Sequence, residues 1–348
     1  MKKTTLALLA SLPLMTPHLG AVSVSTAPVG FINLTIKGTD AGSGMTAISV
    51  PMLPQVVYSG VIGGAAGNVI TDNSATWADG DYATGDPNGN ASYYAEITDH
   101  TDATKVGTIL EITGSSASSK ELTVHDSVDS LVGASYAIRK FRTISDVFGA
   151  DNSAQLGSGS SATASDVVYK VGVENNQVVW QRYYYQTAPV FAGGNGWRKA
   201  GDNQTDMANV AIFPDEGLLV RRRAASDISI TLPGSIKTHN SRTALVQGFN
   251  LVSLSYPVDV TLDSLGLDSK LTAGSSATSA DVIYMVTNEG QFERYYYQSA
   301  PVFAGGNGWR KAGDNATDQA AATVPAGSSI IVLRRDASGI DWSTNKPF

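Results

Sequence analysis

Two stretches of the chain carry the same set of side chains with the chemistry needed to bind a ligand. Residues 182–203 and 294–315 are identical, except that Thr187 in the first is Ser299 in the second. Aromatic rings stack on the apolar faces of sugar rings, and amide, carboxylate and guanidinium groups hydrogen-bond hydroxyls or acidic substituents. The candidate ligand-binding residues are Tyr184, Asn195, Trp197, Arg198 and Asp202 in the first copy, and Tyr296, Asn307, Trp309, Arg310 and Asp314 in the second.

A structural role for the same stretches is the alternative interpretation. Tyr suits a half-buried sheet, the Gly-rich segment supplies the positive φ angles of a turn, and Trp197 and Trp309 would then be buried core rings. Burial alone tolerates exchange among apolar residues, so the near-identity of the copies favours binding. Recent sequence exchange between the copies also accounts for it. Solvent exposure of the two Trp rings distinguishes the interpretations.

No catalytic arrangement can be recognised in the sequence. His100, His125 and His239 lie in unrelated segments, and none has a paired nucleophile at a readable spacing. The chain has no nucleophile elbow, Walker loop, zincin helix or dinucleotide-binding glycine motif. The acidic pairs in GDNQTD and GDNATD are interpreted as Asx-type turns, not as the paired carboxylates of a glycosidase. The sequence therefore predicts a protein that is not an enzyme.

Residues 86–96 begin like a calcium-binding loop, with Asp86, Asn88 and Asn90 at the spacing of oxygen ligands. The sixth position is Ala91 where such loops need Gly, and the twelfth is Ile97 where they need a bidentate Glu. The segment is therefore predicted to be a polar loop, and no metal or cofactor is expected.

The elements that position these residues are short strands. The chain has 35 glycines and only 16% charged residues, and no segment has the apolar spacing of a long helix. Each copy indicates a strand, a turn, a second strand and a glycine loop. Because side chains alternate along a strand, Tyr183 and Tyr185 should share one face and Tyr184 the other.

The repeat extends beyond the duplicated stretches. Residues 159–171 match 274–286, 212–228 resemble 323–340, and weaker echoes relate 46–57 to 249–260 and 142–149 to 260–267. The sequence therefore predicts an all-β fold of two duplicated β-sandwich-like domains, with a small β-barrel-like module inserted in the first. The predicted boundaries are 23–57 plus 141–232 for the first domain, 58–140 for the inserted module and 233–348 for the second domain.

The start of the chain has the pattern of a secretory signal peptide, predicted here as residues 1–22. Cysteine is absent, so disulfides and thiolate chemistry are excluded. The formal net charge is −7 with dispersed acidic residues, which gives no support for nucleic-acid binding. No later run is apolar enough for a transmembrane span. The predicted location is outside the cell or on its surface.

Several segments carry a resemblance to a known group of proteins. They are APVGFINLTI, ISVPMLP, YYAEIT, YAIRKFRTISDVFG and the closing GWR and RR elements. Together they resemble a family of uncharacterised secreted β-rich proteins from environmental Gram-negative bacteria. The resemblance spans nearly the whole mature chain and implies export and a β fold. The family has no established activity, so no ligand is implied. The second copy departs from the pattern because it lacks the insert and has DSLGL in place of DVFG.

These observations lead to two functional hypotheses. The first is a secreted, non-enzymatic structural or adhesive protein of the cell surface that self-assembles, with copies of itself or other surface proteins as partners. Residues 22–36 are β-prone and could either close their own sheet or add to a neighbour's. The second is a carbohydrate-binding protein in which the two Trp-Arg loops bind a polysaccharide through paired sites.

Overall fold

The computed structural model describes residues 28–38, 44–174, 177–187, 193–299 and 305–347. Strands dominate these ranges, and their one α-helix is the five-residue α1, Ile144–Phe148. The all-β class is therefore confirmed. Within the same ranges, no helix has the length and apolar composition required to cross a bilayer. The predicted signal peptide, residues 1–22, lies outside the described residues.

The first two strands precede the insert. They are β1 (Val29–Ile36) and β2 (Gly44–Ile48). The insert then contributes seven strands: β3 (Val56–Val61), β4 (Gly64–Ala66), β5 (Val69–Thr71), β6 (Tyr93–Asp99), β7 (Ile109–Ser116), β8 (Glu121–Val124) and β9 (Ser135–Lys140).

The insert forms one antiparallel sheet in the order β3-β9-β6-β7-β8-β5-β4. Its two outermost strands, β3 and β4, are consecutive in the chain, so the sheet curls around its own core, where Trp77, Ile97 and Tyr136 are buried. The hydrogen-bonded order nevertheless has two ends. The module is an open sheet of seven strands, which corrects the prediction of a small β-barrel-like module.

The chain then completes its first half. The remaining strands of this half are β10 (Arg142–Thr143), β11 (Val167–Glu174), β12 (Gln177–Gln186), β13 (Gly196–Lys199), β14 (Ala211–Ile212), β15 (Leu218–Arg222) and β16 (Ile228–Ser235). Helix α1 follows β10 directly, and Thr143 and Asp146 exchange hydrogen bonds as a capping box at its start. This threonine and aspartate, three residues apart, were the sequence signal for a helix that the strand-only interpretation missed.

The second half contains β17 (Ser241–Leu245), β18 (Gly248–Ser253), β19 (Val260–Thr261), β20 (Val282–Val286), β21 (Phe292–Gln298), β22 (Gly308–Lys311), β23 (Thr323–Val324), β24 (Ser329–Arg334) and β25 (Ile340–Thr344). A one-turn 3₁₀ helix, Asp263–Leu265, stands where the first half has α1.

The two halves have sheets with the same order of corresponding strands. The first five-stranded sheet runs β13-β12-β11-β15-β2, and the second runs β22-β21-β20-β24-β18. Each half adds a two-stranded ribbon, β1-β16 or β17-β25, and a short pair, β10-β14 or β19-β23. Strand β16 extends to Ser235, beyond the predicted boundary after residue 232. The domain boundaries stay predictions.

Each half packs the inner face of its sheet against its ribbon. In the first half, Ile36 and Leu232 from the ribbon share a core with Tyr183 and Val220 from the sheet. In the second half, the ribbon residue Trp342 belongs to the core that contains Tyr295, Trp309 and Val332. Alternation along the strands sends these side chains inward, as expected for a sheet with one face on a core.

The outer faces of the two sheets pack on each other with approximate two-fold symmetry. Glu216 forms a β-bridge with Val252, and the corresponding bridge joins Ser328 to Ile48. Such reciprocal contacts characterise an isologous interface between two like units. Beside it, Ala47, Leu219, Leu251 and Ile331 form a shared apolar cluster.

Strand β1 pairs with β16 of its own chain over residues 29–36. The described part of the N-terminal segment therefore closes its own sheet, which was one of the two alternatives. Residues 22–27 lie outside the described residues.

Candidate functional site

The duplicated stretches form the same structure twice. In both copies a long strand pairs with a short one, so that Tyr184 faces Arg198 and Tyr296 faces Arg310. The two expected strands before each glycine loop are β11 with β12 and β20 with β21, and the three consecutive Tyr residues alternate between the two faces of the sheet as expected. The short strands β13 and β22, which carry the Trp and Arg residues, were not predicted.

Each Arg of the duplicated stretch closes its own glycine loop. Arg198 is buried, and its guanidinium donates hydrogen bonds to four main-chain carbonyls of the loop, those of Gly193, Gly194, Trp197 and Asn203. Arg310 donates to the corresponding carbonyls in the second copy. A planar guanidinium with five donors suits this task, whereas an ammonium cannot reach all four acceptors. The Arg side chains are therefore structural.

The two Trp rings are core residues. Their exposed fractions are 0% for Trp197 and 1% for Trp309. Trp197 Nε1 donates to the carbonyl of Gly149, at the end of α1, over 2.8 Å. Trp309 Nε1 is buried and has no hydrogen-bond partner among the described residues. A buried ring offers no face to a sugar, so the predicted stacking role of both Trp residues is corrected to a packing role.

The other candidates of the duplicated stretches do not form a site around these rings. Tyr184 and Tyr296 are buried, whereas Asn195 and Asn307 are exposed at the loops. Asp202 and Asp314 each accept two main-chain hydrogen bonds within their own turn, the geometry expected for Asx turns. Hydrogen bonds from the side chain and main chain of Thr205 and from the main chain of Gln204 lower the pKa of Asp202 to about 2.

The glycine positions explain why the two copies match so closely. Gly193 has a φ of 101°, and a Cβ there would lie 2.7 Å from the carbonyl oxygen of Asn203. Gly196 has a φ of 147°, and a Cβ there would lie 2.9 Å from Arg198 Nη1. Larger side chains are therefore excluded by both backbone conformation and contact. Both glycines are therefore required by the fold of the loop itself.

The loop at residues 86–91 is built around one carboxylate. Asp86 Oδ1 accepts from the main chain of Asn88 and Asn90, at 2.8 and 2.9 Å. Its Oδ2 accepts from Asn90 Nδ2 and from the main chain of Ala211, both at 3.0 Å. The carboxylate thus organises a polar loop and fastens the insert to the first half. Across the described residues, no group of three or more His, Asp or Glu side chains could hold a metal ion.

A cleft with a volume of about 440 Å³ lies where the insert and the two halves meet. We call it the junction cleft; the residues that define it here are Asn88, Lys170, Lys199, Phe213, Glu216 and Phe249. Its volume is within the usual range of small-molecule sites. Asn88 Nδ2 donates to the hydroxyl of Tyr183 over 2.7 Å, and this hydroxyl donates to Gln181 over 2.8 Å. These bonds join the insert to the first sheet beside the cleft.

An ion pair at the wall of the junction cleft leaves one oxygen without a partner. The ammonium of Lys170 contacts Glu216 Oε2 and lies 5.4 Å from the centre of the Phe213 ring. Glu216 Oε1 is buried and accepts no hydrogen bond from any described residue. Burial raises the pKa of Glu216 despite the opposing effect of Lys170. Burial also raises the pKa of the neighbouring Asp215. Perturbed carboxyl groups in a cleft are a typical feature of functional sites.

Sequence reasoning missed the junction cleft because its residues belong to three separate segments. Within the repeat, Lys170 corresponds to Met285, Gln181 to Glu293 and Glu216 to Ser328, as the strand registers show. These differences between the copies were the only sequence signal for the junction cleft. The prediction of a site relied on the identical stretches and did not use these differences.

A second buried cluster of charges fixes the insert to the second half. Glu96 of β6 lies 2.6 Å from Lys237 Nζ, 3.1 Å from His239 Nε2 and 3.9 Å from Arg139 Nε. Burial alone would raise the pKa of Glu96, but Lys237 and His239 outweigh it and lower the pKa to about 2. His239 is therefore a structural residue in this arrangement.

Comparison with known proteins adds no relative. No family model, curated protein or solved structure matches the chain. The resemblance drawn from the sequence motifs stays a prediction.

Proposed function

We propose that the chain is an exported, non-enzymatic adhesive protein that binds a neutral saccharide in the junction cleft. The observation that carries the proposal is Glu216 Oε1, a buried acceptor without a partner in the wall of this cleft. An unsatisfied buried carboxylate oxygen costs free energy, and a ligand hydroxyl would supply the missing hydrogen bond.

The charges around the junction cleft favour a neutral ligand. Lys170 and Lys199 bring two positive charges to its lining, and Asp215 and Glu216 bring two carboxyl groups. Because the opposite charges balance, the cleft does not select a strongly anionic or cationic ligand. It retains many hydrogen-bonding groups, as hydroxyl recognition requires.

The uncharged part of the lining fits the same ligand class. Phe213 and Phe249 provide aromatic surface, and Asn88, Asn90 and Thr243 provide amide and hydroxyl groups. A saccharide presents both apolar ring faces and hydroxyls, so it can use both kinds of lining. The proposed site thus differs from the Trp-Arg loops predicted from the sequence.

A glycan array followed by titration calorimetry tests the proposal. We expect a neutral glycan to bind and Lys199→Ala to weaken it by about tenfold, the effect of losing one hydrogen bond to a charged group. The matched control is Lys311→Ala, because Lys311 is the corresponding residue of the second copy and pairs with Glu293 outside this cleft. Absence of any neutral glycan ligand, or equal effects of the two variants, would refute the proposal.

Self-assembly is a second candidate function, favoured by one edge of the fold. Strand β1 pairs with β16 and with no other strand among the described residues. Its Val29 and Phe31 are 79% and 67% exposed. An apolar edge strand is a template for pairing with another chain. Sedimentation velocity over a wide concentration range should then show association that Phe31→Lys abolishes; a monomer at every concentration argues against this function.

A further inference from the structure

A second depression, lined by aromatic side chains, lies beside the junction cleft. It has a volume of about 330 Å³, and Trp180, Phe249 and Phe292 in its lining are 38%, 41% and 43% exposed. Tyr169 and Tyr284 add two further rings. We call this depression the aromatic groove. Phe249 also lines the junction cleft, so the two depressions border the same ring.

The aromatic groove is built from corresponding positions of the two sheets. Tyr169 and Tyr284 occupy the same register position next to Arg182 and Arg294. Leu219 and Ile331 correspond in the same way, because Leu219 faces Ala47 and Ile331 faces Leu251, which are corresponding residues of the two edge strands. The groove therefore lies on the approximate two-fold axis between the sheets and presents similar rings on both sides.

The lining of the aromatic groove determines what can occupy it. None of its residues is charged, and their exposed atoms are mainly ring and aliphatic carbons. Sugar rings bind such surfaces through their apolar faces, and the open side of a groove leaves their hydroxyls in water. Isolated exposed apolar residues are common, but several exposed rings in one groove mark an interaction site.

We infer that the aromatic groove holds the sugar units that follow the one bound in the junction cleft, so that the ligand is an oligosaccharide or polysaccharide chain. The inference rests on the proposed function, because the cleft must bind a saccharide first. Phe249 is the shared ring over which the chain passes from the cleft into the groove. Binding strength should then increase with chain length, since each added unit contacts further rings.

The test measures the affinity of the full mature chain for neutral oligosaccharides of one to six units. The probes are the cello-, xylo-, laminari- and chito-oligosaccharide series. In at least one series the affinity should rise about tenfold or more from monomer to tetramer, the gain expected from one or two stacked rings. The double variant Trp180→Ala with Phe292→Ala should remove this gain and leave monomer binding unchanged. Val132→Ala is the control, because Val132 is an exposed apolar residue of the insert.

The outcomes separate the inference from the proposed function. Monomer binding without a gain from added units overturns the inference and leaves the proposed function standing. No binding in any series refutes both. If the double variant instead converts an oligomer to a monomer, the groove is a contact between copies of the chain, and the inference is overturned. Both substituted residues are partly exposed, so the melting temperature of the double variant should confirm that it folds.

Discussion

Replacing Glu96 with Gln should destabilise the protein more than any other single change of a carboxylate on the insert. The side chain is fully buried, and its carboxylate lies within 4 Å of Lys237, His239 and Arg139. Gln has the same shape but no charge, so the cations would stay buried without their counter-ion. Breaking a buried ion pair from one side typically costs about 3–5 kcal/mol.

The pKa of Glu96 gives an independent magnitude. It is about 2 in the folded protein, against an ordinary value of 4.5. A depression of this size corresponds to about 3 kcal/mol of stability at neutral pH. Because the folded pKa is the lower one, this contribution is present above pH 4.5 and is lost as the pH falls towards 2. At pH 3 about 1.4 kcal/mol should remain.

Thermal unfolding of the wild type and of Glu96→Gln at pH 7 and pH 3 checks both magnitudes. At pH 7 the variant should melt about 4 °C lower, from about 3 kcal/mol and an unfolding entropy of about 2.1 cal/mol/K per residue over 348 residues. The difference should shrink at pH 3. Glu289→Gln is the control, because Glu289 is exposed in a turn of the second half. A shift below about 2 °C at pH 7, or one equal at both pH values, would show that Glu96 is not held as a charged group by its neighbours.

Two further predictions concern the duplicated stretches. Trp197→Phe should cost about 1–2 kcal/mol more than Trp309→Phe in chemical denaturation, because only Trp197 Nε1 has a hydrogen-bond partner to lose; equal costs would contradict this difference. Arg198→Lys and Arg310→Lys should each destabilise the chain by about 2–4 kcal/mol, because buried carbonyls lose their donors. Neither substitution should alter saccharide affinity at 25 °C. If calorimetry shows that either one lowers the affinity of a folded variant, the Trp-Arg loops take part in binding after all.

The sequence predicted the fold well wherever the pattern is local. Alternation around Tyr183, Tyr184 and Tyr185 placed the strand faces correctly, since the two-residue period of a strand is a backbone property. The interpretation of the Asp202 and Asp314 segments as turns also agrees with their hydrogen bonds. Structure that depends on residues close together in the chain can therefore be predicted from the order of residue types.

What failed were the predictions that depend on contacts between distant segments. Residues 93–99 form β6, so the predicted polar loop 86–96 is wrong for residues 93–96. The sequence gave no sign that both faces of this strand are covered, or that Glu96 meets Lys237 and His239. Likewise, Trp197 and Arg198 have the residue types of a sugar site, and only the tertiary structure shows that both are buried. Residue type indicates chemistry, whereas exposure depends on which distant surfaces come together.

The comparison of the two copies suggests where chemistry should be sought in a duplicated fold. The identical stretch is constrained from within, because its Arg and Asp side chains hydrogen-bond nearby main-chain groups and its glycines adopt positive φ angles. The sequence identity of the two copies there reflects the requirements of the fold. It does not require that the stretch binds a ligand. The junction cleft lies instead where the copies differ: Lys170 and Glu216 form an ion pair in the first half, and Met285 and Ser328 occupy the corresponding positions in the second. The insert packs beside those positions of the first half, and the first half therefore forms one wall of the cleft. The repeat thus supplies the framework, and the differences between its copies supply the residues of the proposed site.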